Sequence, residues 1–447
     1  MDNPEPSKKG RLDPNGELAD IVSDCVHCGF CLPSCPTYQL WGEEMDSPRG
    51  RIHLIGQLLD GASASETAAT HLDRCLGCMA CVPACPSGVR YDKLIEAARS
   101  WATEPPTDSS GPVQALPPRS ARERALRAAI FATFPYPSRL RLLMAPLRAA
   151  QRIRLDRLMQ RNLPQRLAPE MAAALKVAPG RPSKRSVRGH LPARVAARGE
   201  RRAVVGMLTG CVQQVFFPQV NIATARVLAA EGCDVVIPPT QGCCGALSLH
   251  DGRTTEAANF ATRLIEEFDQ AGVDAIVVNS AGCGSAMKEY EDPAFATKVK
   301  DFSEFLADLG PAATRHPLPL KVAYHDACHL AHAQRITRQP RALLKAIPDL
   351  ELLELPDAGT CCGSAGIYNL VQPQTAAELG TRKAESVQSI SPDLVVSANP
   401  GCALQIKSSL QTPIPVLHIA ELLDASIRST HASSLLRPTS PSKVFIR

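Results

Sequence analysis

The chemistry in this 447-residue chain is concentrated in its 17 cysteines, and their spacing says more than their number. Cys25, Cys28, Cys31 and Cys35, followed by Pro36, form a C-x2-C-x2-C-x3-C-P run, and Cys75, Cys78, Cys81 and Cys85, followed by Pro86, repeat it. This is the ferredoxin-type run for a [4Fe–4S] cubane, in which three thiolates on one tight loop reach three corners and the fourth ligates the other cluster. Cluster A would then use Cys25, Cys28, Cys31 and Cys85, and cluster B would use Cys75, Cys78, Cys81 and Cys35. Crossed ligation places the two clusters close together and ties the halves of the segment to each other. Zinc also takes C-x2-C pairs, though as two separated pairs rather than one run of four. Zinc and purely structural thiols are the alternatives to two cubanes. His27, inside the first run, reads as a neighbour that tunes cluster A.

A second cysteine pattern is an internal duplication. Cys211, Cys243, Cys244 and Cys283 recur as Cys328, Cys361, Cys362 and Cys402, at offsets of 117, 118, 118 and 119 residues. Each double cysteine precedes a glycine (Gly245, Gly363), and each last cysteine follows one (Gly282, Gly401). Neighbouring thiolates can hold a metal or redox centre. The competing reading is buried structural cysteines inherited by duplication, and the sequence leaves a further Fe–S centre in these modules open. Cys233 falls outside the repeat and is expected to pack as a small apolar residue. His325-Asp326-Ala327-Cys328-His329 offers a Cys–His pair, whose place at a repeated cysteine favours ligation or support of a cluster over nucleophilic catalysis.

The elements that must hold these residues fall into three regions. Residues 15–101 enclose both ferredoxin runs and a mostly helical stretch between them. Residues 102–201 form a Pro/Ala/Arg-rich connector; within it and up to 202, residues 119–202 carry 21 Lys and Arg against 4 Asp and Glu. Arg122–Phe134 and Pro137–Leu158 are expected to form short basic amphipathic helices. From 202 onward, short apolar runs alternate with helical periodicity. Strands are expected at Ala203–Leu208, Asp234–Ile237, Ala275–Asn279, Val322–Tyr324, Glu351–Leu355 and Leu394–Ser397, and helices at Val220–Glu231, Thr254–Ala271, Arg341–Ile347 and Thr375–Gln388. Such alternation argues for parallel α/β layers, with the cysteines following strand ends that converge on a crevice. The expected fold class is α+β multidomain: a helical two-cluster ferredoxin-like domain followed by two duplicated α/β Cys-Cys-Gly modules, 202–310 and 318–427, facing each other. A flexible tail is expected over 428–447.

Other classes are excluded by what is missing. No G-x-G-x-x-G follows a strand, no G-x-x-x-x-G-K-[ST] is present, and no C-x-x-C-H attaches haem. No run approaches the roughly 18 apolar residues of a membrane span, and residues 1–20 carry no apolar signal core. A cytoplasmic protein follows as the expectation, with peripheral contact on the inner face of the cell membrane left open by the basic connector. That connector reads as a solvated linker, a docking surface for a partner subunit or a patch for anionic lipid. Nucleic acid is not an expected partner, because stacking aromatics are scarce there.

These residues resemble a known family. Cys25-Val-His-Cys28-Gly-Phe-Cys31, Cys35-Pro-Thr-Tyr38, Asp46-Ser-Pro-Arg-Gly-Arg51 and His71-Leu-Asp-Arg-Cys75-Leu-Gly-Cys78 look like the iron–sulphur subunit of bacterial glycolate oxidase. So do Cys85-Pro-Ser-Gly-Val-Arg-Tyr91, Gly242-Cys-Cys-Gly245, Ser280-Ala-Gly-Cys283 with Lys288-Glu-Tyr290, and Cys361-Cys-Gly-Ser-Ala-Gly366. The resemblance implies FAD-binding partner subunits that oxidise glycolate to glyoxylate, with this chain passing the electrons to a respiratory acceptor, quinone or other. It carries the cubane ligands onto the eight cysteines of the two runs. Similar layouts serve glycerol-3-phosphate and lactate oxidation, which is the alternative reading; a redox-sensing interaction protein is the second. The Cys-Cys-Gly modules of heterodisulfide reductases typically end in C-x-x-C, whereas here Ser280 and Asn399 occupy the first position of that pair. The connector and tail match nothing specific to the family.

Overall fold

The computed structural model describes residues 12–63, 65–108, 111–112, 116–152 and 191–436. The N-terminal domain is helical: α1 (Glu17–Ser23), α2 (Pro36–Trp41), α3 (Pro48–Leu59), α4 (Glu66–Asp73), α5 (Cys81–Ala84) and α6 (Tyr91–Thr103). Its helix starts are written in the sequence. Proline opens α2 and α3, where a missing N–H costs nothing. The Ser47 and Ser65 hydroxyls cap α3 and α4 by accepting from Gly50 N and Ala68 N, both at 3.0 Å. Ile55, Leu72, Leu94, Ile95 and Trp101 close the core between α3, α4 and α6.

Two connector helices follow, α7 (Ala121–Phe131) and α8 (Pro137–Arg152). They start within a residue of the two basic helices expected there, and the remainder of the second expected helix lies outside the described residues. The tail from 437 onward also lies outside them.

The first module contains β1 (Arg194–Val195), β2 (Ala203–Leu208), α9 (Cys211–Phe216), α10 (Pro218–Ala230), β3 (Cys233–Val236), α11 (Ala246–His250), α12 (Thr254–Ala271), β4 (Ala275–Val278), α13 (Ala281–Met287), β5 (Val299–Asp301) and α14 (Phe302–Leu309). The second contains β6 (Leu320–His325), α15 (Arg338–Lys345), β7 (Leu350–Glu354), α16 (Pro373–Ser389), β8 (Leu394–Ser397), α17 (Pro400–Ser409), β9 (Val416–Leu417) and α18 (Ile419–Ile427). Sheet order is β1-β3-β2-β4-β5 in one and β9-β8-β6-β7 in the other. Both therefore run second–first–third–fourth in parallel, and only β1 is antiparallel to its neighbour. The duplication read from the cysteines is a duplication of topology. The first sheet reaches back to Arg194–Val195, inside the stretch read as connector.

The central strands are apolar on both faces because helices cover both. Val205, Met207, Val322, Tyr324, Leu423 and Val227 belong to one continuous core shared by the two modules. At their strand ends the modules also meet through the backbone, Ala281 N donating to Ala398 O at 3.1 Å. Cys233 is wholly buried in that core.

Candidate iron–sulphur and thiol sites

The ferredoxin cysteines gather around two small cavities. One is lined by Cys25, Cys28, Cys31 and Cys85, the other by Cys35, Cys75 and Cys78, and Cys81 lines both. The fourth cysteine of each run thus crosses to the other run's cavity. The first set is partly exposed, with Cys28 at the surface; the second is wholly buried. Each loop turns at a residue of positive φ: His27 and Gly29 in one run, Gly77 and Met79 in the other.

The buried set is surrounded by donors. Gly77 N and Tyr91 Oη each lie 3.4 Å from Cys75 Sγ. Burial pushes the Cys75 thiol up, but the Arg51 and Arg99 guanidiniums and these two donors outweigh it and hold the thiol below its usual range. Cys78, with a backbone donor at Ala80, and Cys81 are driven well above it by burial and neighbouring thiols. Arg51 is the anchor that spacing alone did not single out. It is 1% exposed, donates to His71 O at 2.7 Å and Thr37 Oγ1 at 3.1 Å, and pairs with buried Asp46 at 3.3 Å. Four thiols around the buried cavity and five around the partly exposed one, Cys81 being common to both, with N–H and O–H donors at the buried set, are donor sets that fit iron–sulphur clusters.

The module cysteines are arranged differently, with thiols in mutual contact. Cys211 Sγ and Cys243 Sγ are 3.3 Å apart. Cys244 accepts from Cys243 and Cys283, which pulls its thiol well below the usual range. In the second module Cys361 reaches Cys328 and Cys362, and Cys362 reaches Cys402. Gly245 and Gly363 sit at φ +75 and +86, where a Cβ would meet Ala257 O at 2.9 Å or Ala376 O at 2.8 Å. Both conformation and space demand glycine after the cysteine pair. Ser280 and Asn399, at the positions of the missing cysteines, meet across the module boundary, Ser280 Oγ lying 3.5 Å from Asn399 Oδ1.

That close-approach glycine aligns the modules beyond the cysteines. Ala257 and Ala376 are equivalent, so seven residues on, Leu264 corresponds to Lys383. Likewise Leu208 and His325 each end the first strand, three residues before Cys211 and Cys328. The first module therefore places two leucines where the second places an imidazole and an ammonium, and all four are fully buried. Lys383 pairs with Asp357 at 2.8 Å. Burial first, and the Lys383 charge second, push the His325 imidazole well below its usual range.

All eight module cysteines line a single cavity of ≈ 680 Å³ between the modules. Leu126, Ile130 and Phe134 around α7 and Leu143, Met144 and Leu147 of α8 contribute its apolar wall. Around α7, Ile130 and Phe131 pack on Ile367 of the second module; on α8, Leu140 and Met144 pack on Val215 of the first. The connector is a roof over the crevice. The ferredoxin domain meets this region through an apolar cluster that joins Leu76 and Cys78 to Cys328, Cys361 and Tyr368.

Comparison with known proteins matches each of these parts. Residues 21–89 match the 4Fe-4S dicluster domain, and 205–288 and 322–407 match the cysteine-rich domain. Residues 122–178 match the glycolate oxidase iron-sulfur subunit linker region, which corrects the reading of the connector as unspecific: its roofing helices belong to the family. The probable glycolate oxidase iron-sulfur subunit of Bacillus subtilis (strain 168) is 36% identical, covering 96% of this chain and 95% of the relative. The glycolate oxidase iron-sulfur subunit of Escherichia coli (strain K12) is 34% identical over 92% of this chain and 95% of its own length. Lactate utilization protein A of Exiguobacterium sp. is 29% identical over 50% of this chain and 98% of its own. With dicluster domain, linker and paired modules all matched in order, and relatives alike from end to end, the chain belongs to the glycolate oxidase iron–sulphur subunit family.

Proposed function

We propose that this chain passes electrons from a FAD-bearing partner that oxidises glycolate to glyoxylate towards a respiratory acceptor, a quinone or another carrier. The observation that carries the reading is the sorting of the eight ferredoxin cysteines around two adjacent cavities that share Cys81. Cys25, Cys28, Cys31 and Cys85 would hold one cubane, and Cys75, Cys78, Cys81 and Cys35 the other. Bound there, the cubanes supply one-electron carriers, which a two-electron flavin donor requires as its outlet. The protein's own part is to set their surroundings. Val26 and Phe30 stand 69% and 68% exposed on the first loop, an apolar patch where a partner can approach the half-exposed site. The second site is buried and packs on Cys328 and Cys361 of the second module, which would lead electrons from the surface site inward to the crevice.

Glycolate is preferred over lactate as the partner's substrate because the glycolate relatives match nearly the whole chain and the lactate relative about half of it. Among the described residues no helix is long and apolar enough to cross a membrane. Contact with the membrane face would instead use Leu142 and Leu143, exposed on α8 beside Arg139 and Arg141. The test is reconstitution. The purified chain alone should reduce no dye with glycolate, and adding the flavoprotein should restore turnover with glycolate over lactate or glycerol 3-phosphate. Turnover by this chain without a flavoprotein would end the proposal.

A further inference from the structure

The second module contains a donor group that the cysteine pattern alone does not show. A ring nitrogen of His325, Cys362 Sγ and Cys402 Sγ lie within 4.8 Å of one another. The three residues are 1%, 1% and 2% exposed. Neither His325 nitrogen has a hydrogen-bond partner among the described residues. Buried imidazoles rarely leave both nitrogens unmatched, and each unmatched site asks for an explanation. The bland explanation, a histidine used as core filling, meets the repeat itself: the first module fills the same place with Leu208, which is apolar and packs without loss.

Geometry points to a ligand. Donors bound to one tetrahedral ion at about 2.0–2.3 Å lie about 3.3–3.8 Å apart, so this trio needs only a small inward adjustment. Cys361, in contact with Cys362 but outside that 4.8 Å group, would have to turn inward to become a fourth donor. Two or three thiolates with one imidazole select thiophilic divalent ions, zinc or iron, over hard cations. We propose that the second module binds one divalent zinc or iron ion through His325, Cys362 and Cys402, with Cys361 completing the set. The first module, with Leu208 at the equivalent place, lacks this site. The proposal is independent of which substrate feeds the chain. It places an ion beside Cys78 of the buried ferredoxin site, since Cys361 and Cys78 share one packed cluster.

The test uses the full-length chain purified anaerobically as wild type, His325→Leu and His325→Cys. Zinc and iron are counted per chain, and Mössbauer spectra separate single-ion iron from cubane iron. The leucine variant, which copies the first module, should lose one ion per chain while keeping the cubane signals; the cysteine variant should keep it. Zinc lost identifies zinc, and single-ion iron lost identifies iron. Equal metal content in wild type and His325→Leu overturns the proposal. X-ray absorption of the wild-type ion provides an arm that no misfolded variant can obscure. A mixed sulphur and nitrogen shell supports His325 as ligand, and a shell of sulphur alone overturns it.

Discussion

The two modules share strand order, cysteine positions and the close-approach glycine, yet differ at the end of the first strand and nearly three turns into the long helix. Leu208 and Leu264 in one become His325 and Lys383 in the other. They also meet the ferredoxin domain by different means. The first uses polar contacts: Lys93 with Glu289 at 2.6 Å, Arg99 donating to His250 O at 2.9 Å, and Thr103 donating to Asp251 O at 2.9 Å. The second uses mainly the apolar cluster of Leu76, Cys78, Cys328, Cys361 and Tyr368, with Tyr368 Oη donating to Arg74 O at 3.1 Å. Duplication has kept the scaffold and let two buried positions and one docking face diverge. The first copy is held to the ferredoxin domain by polar contacts, and the second packs beside Cys78.

Exchanging the divergent residues should break the symmetry hardest. Leu264→Lys buries an ammonium without a carboxylate partner and should cost about 3–5 kcal/mol in chemical unfolding. Lys383→Leu should cost much less, because Asp357 is 26% exposed and can return to water. Equal losses would mean that the two helix positions are not equivalent. Cys78→Ser should empty the buried ferredoxin site and slow glycolate-to-dye electron transfer in the complex about 100-fold, a barrier of about 3 kcal/mol. Cys211→Ser in the first module should leave the ferredoxin EPR signals intact. Gly245→Ala and Gly363→Ala should each cost about 2–3 kcal/mol, equally in both modules, because a carbonyl oxygen blocks the added methyl in each. A large inequality in thermal unfolding would show that only one copy needs the tight turn.

The polar docking face should respond to pH. Burial raises the Glu96 carboxyl to about 7, against an ordinary value of 4.5. The folded chain then holds a proton that the unfolded chain has released, so stability falls as pH rises from about 4.5 to 7 and levels off above. Glu96→Gln should remove that slope and stabilise the protein at pH 8 by about 1–3 kcal/mol at most. An unchanged pH profile of the unfolding midpoint would exclude Glu96 as its source.

Much of this was legible in the sequence because spacing carries it. Ala203–Leu208, Thr254–Ala271 and Leu394–Ser397 are found where apolar runs and helical periodicity place them. In the two modules the strands that escaped, Arg194–Val195, Val299–Asp301 and Val416–Leu417, are two or three residues long and belong to sheet edges, too short for any period to register. The site reads the same way. Cysteines announce themselves by type, while Arg51 and Lys383 matter through burial, which no local pattern encodes for a charged residue. His325 lay inside a segment already singled out, but its difference from Leu208 emerges only when strand ends are superposed.

The roof over the crevice also orders events in time. α7 and α8 leave the ribosome before either module, yet they cover a cavity whose last cysteine, Cys402, comes near the end of the chain. The ferredoxin cysteines are complete by residue 85 and can be filled while synthesis continues. The first module's four thiols can meet once Cys283 has been made, whereas those of the second wait for Cys402. A group delivered to the second set therefore comes only after the residues that will roof it have been made.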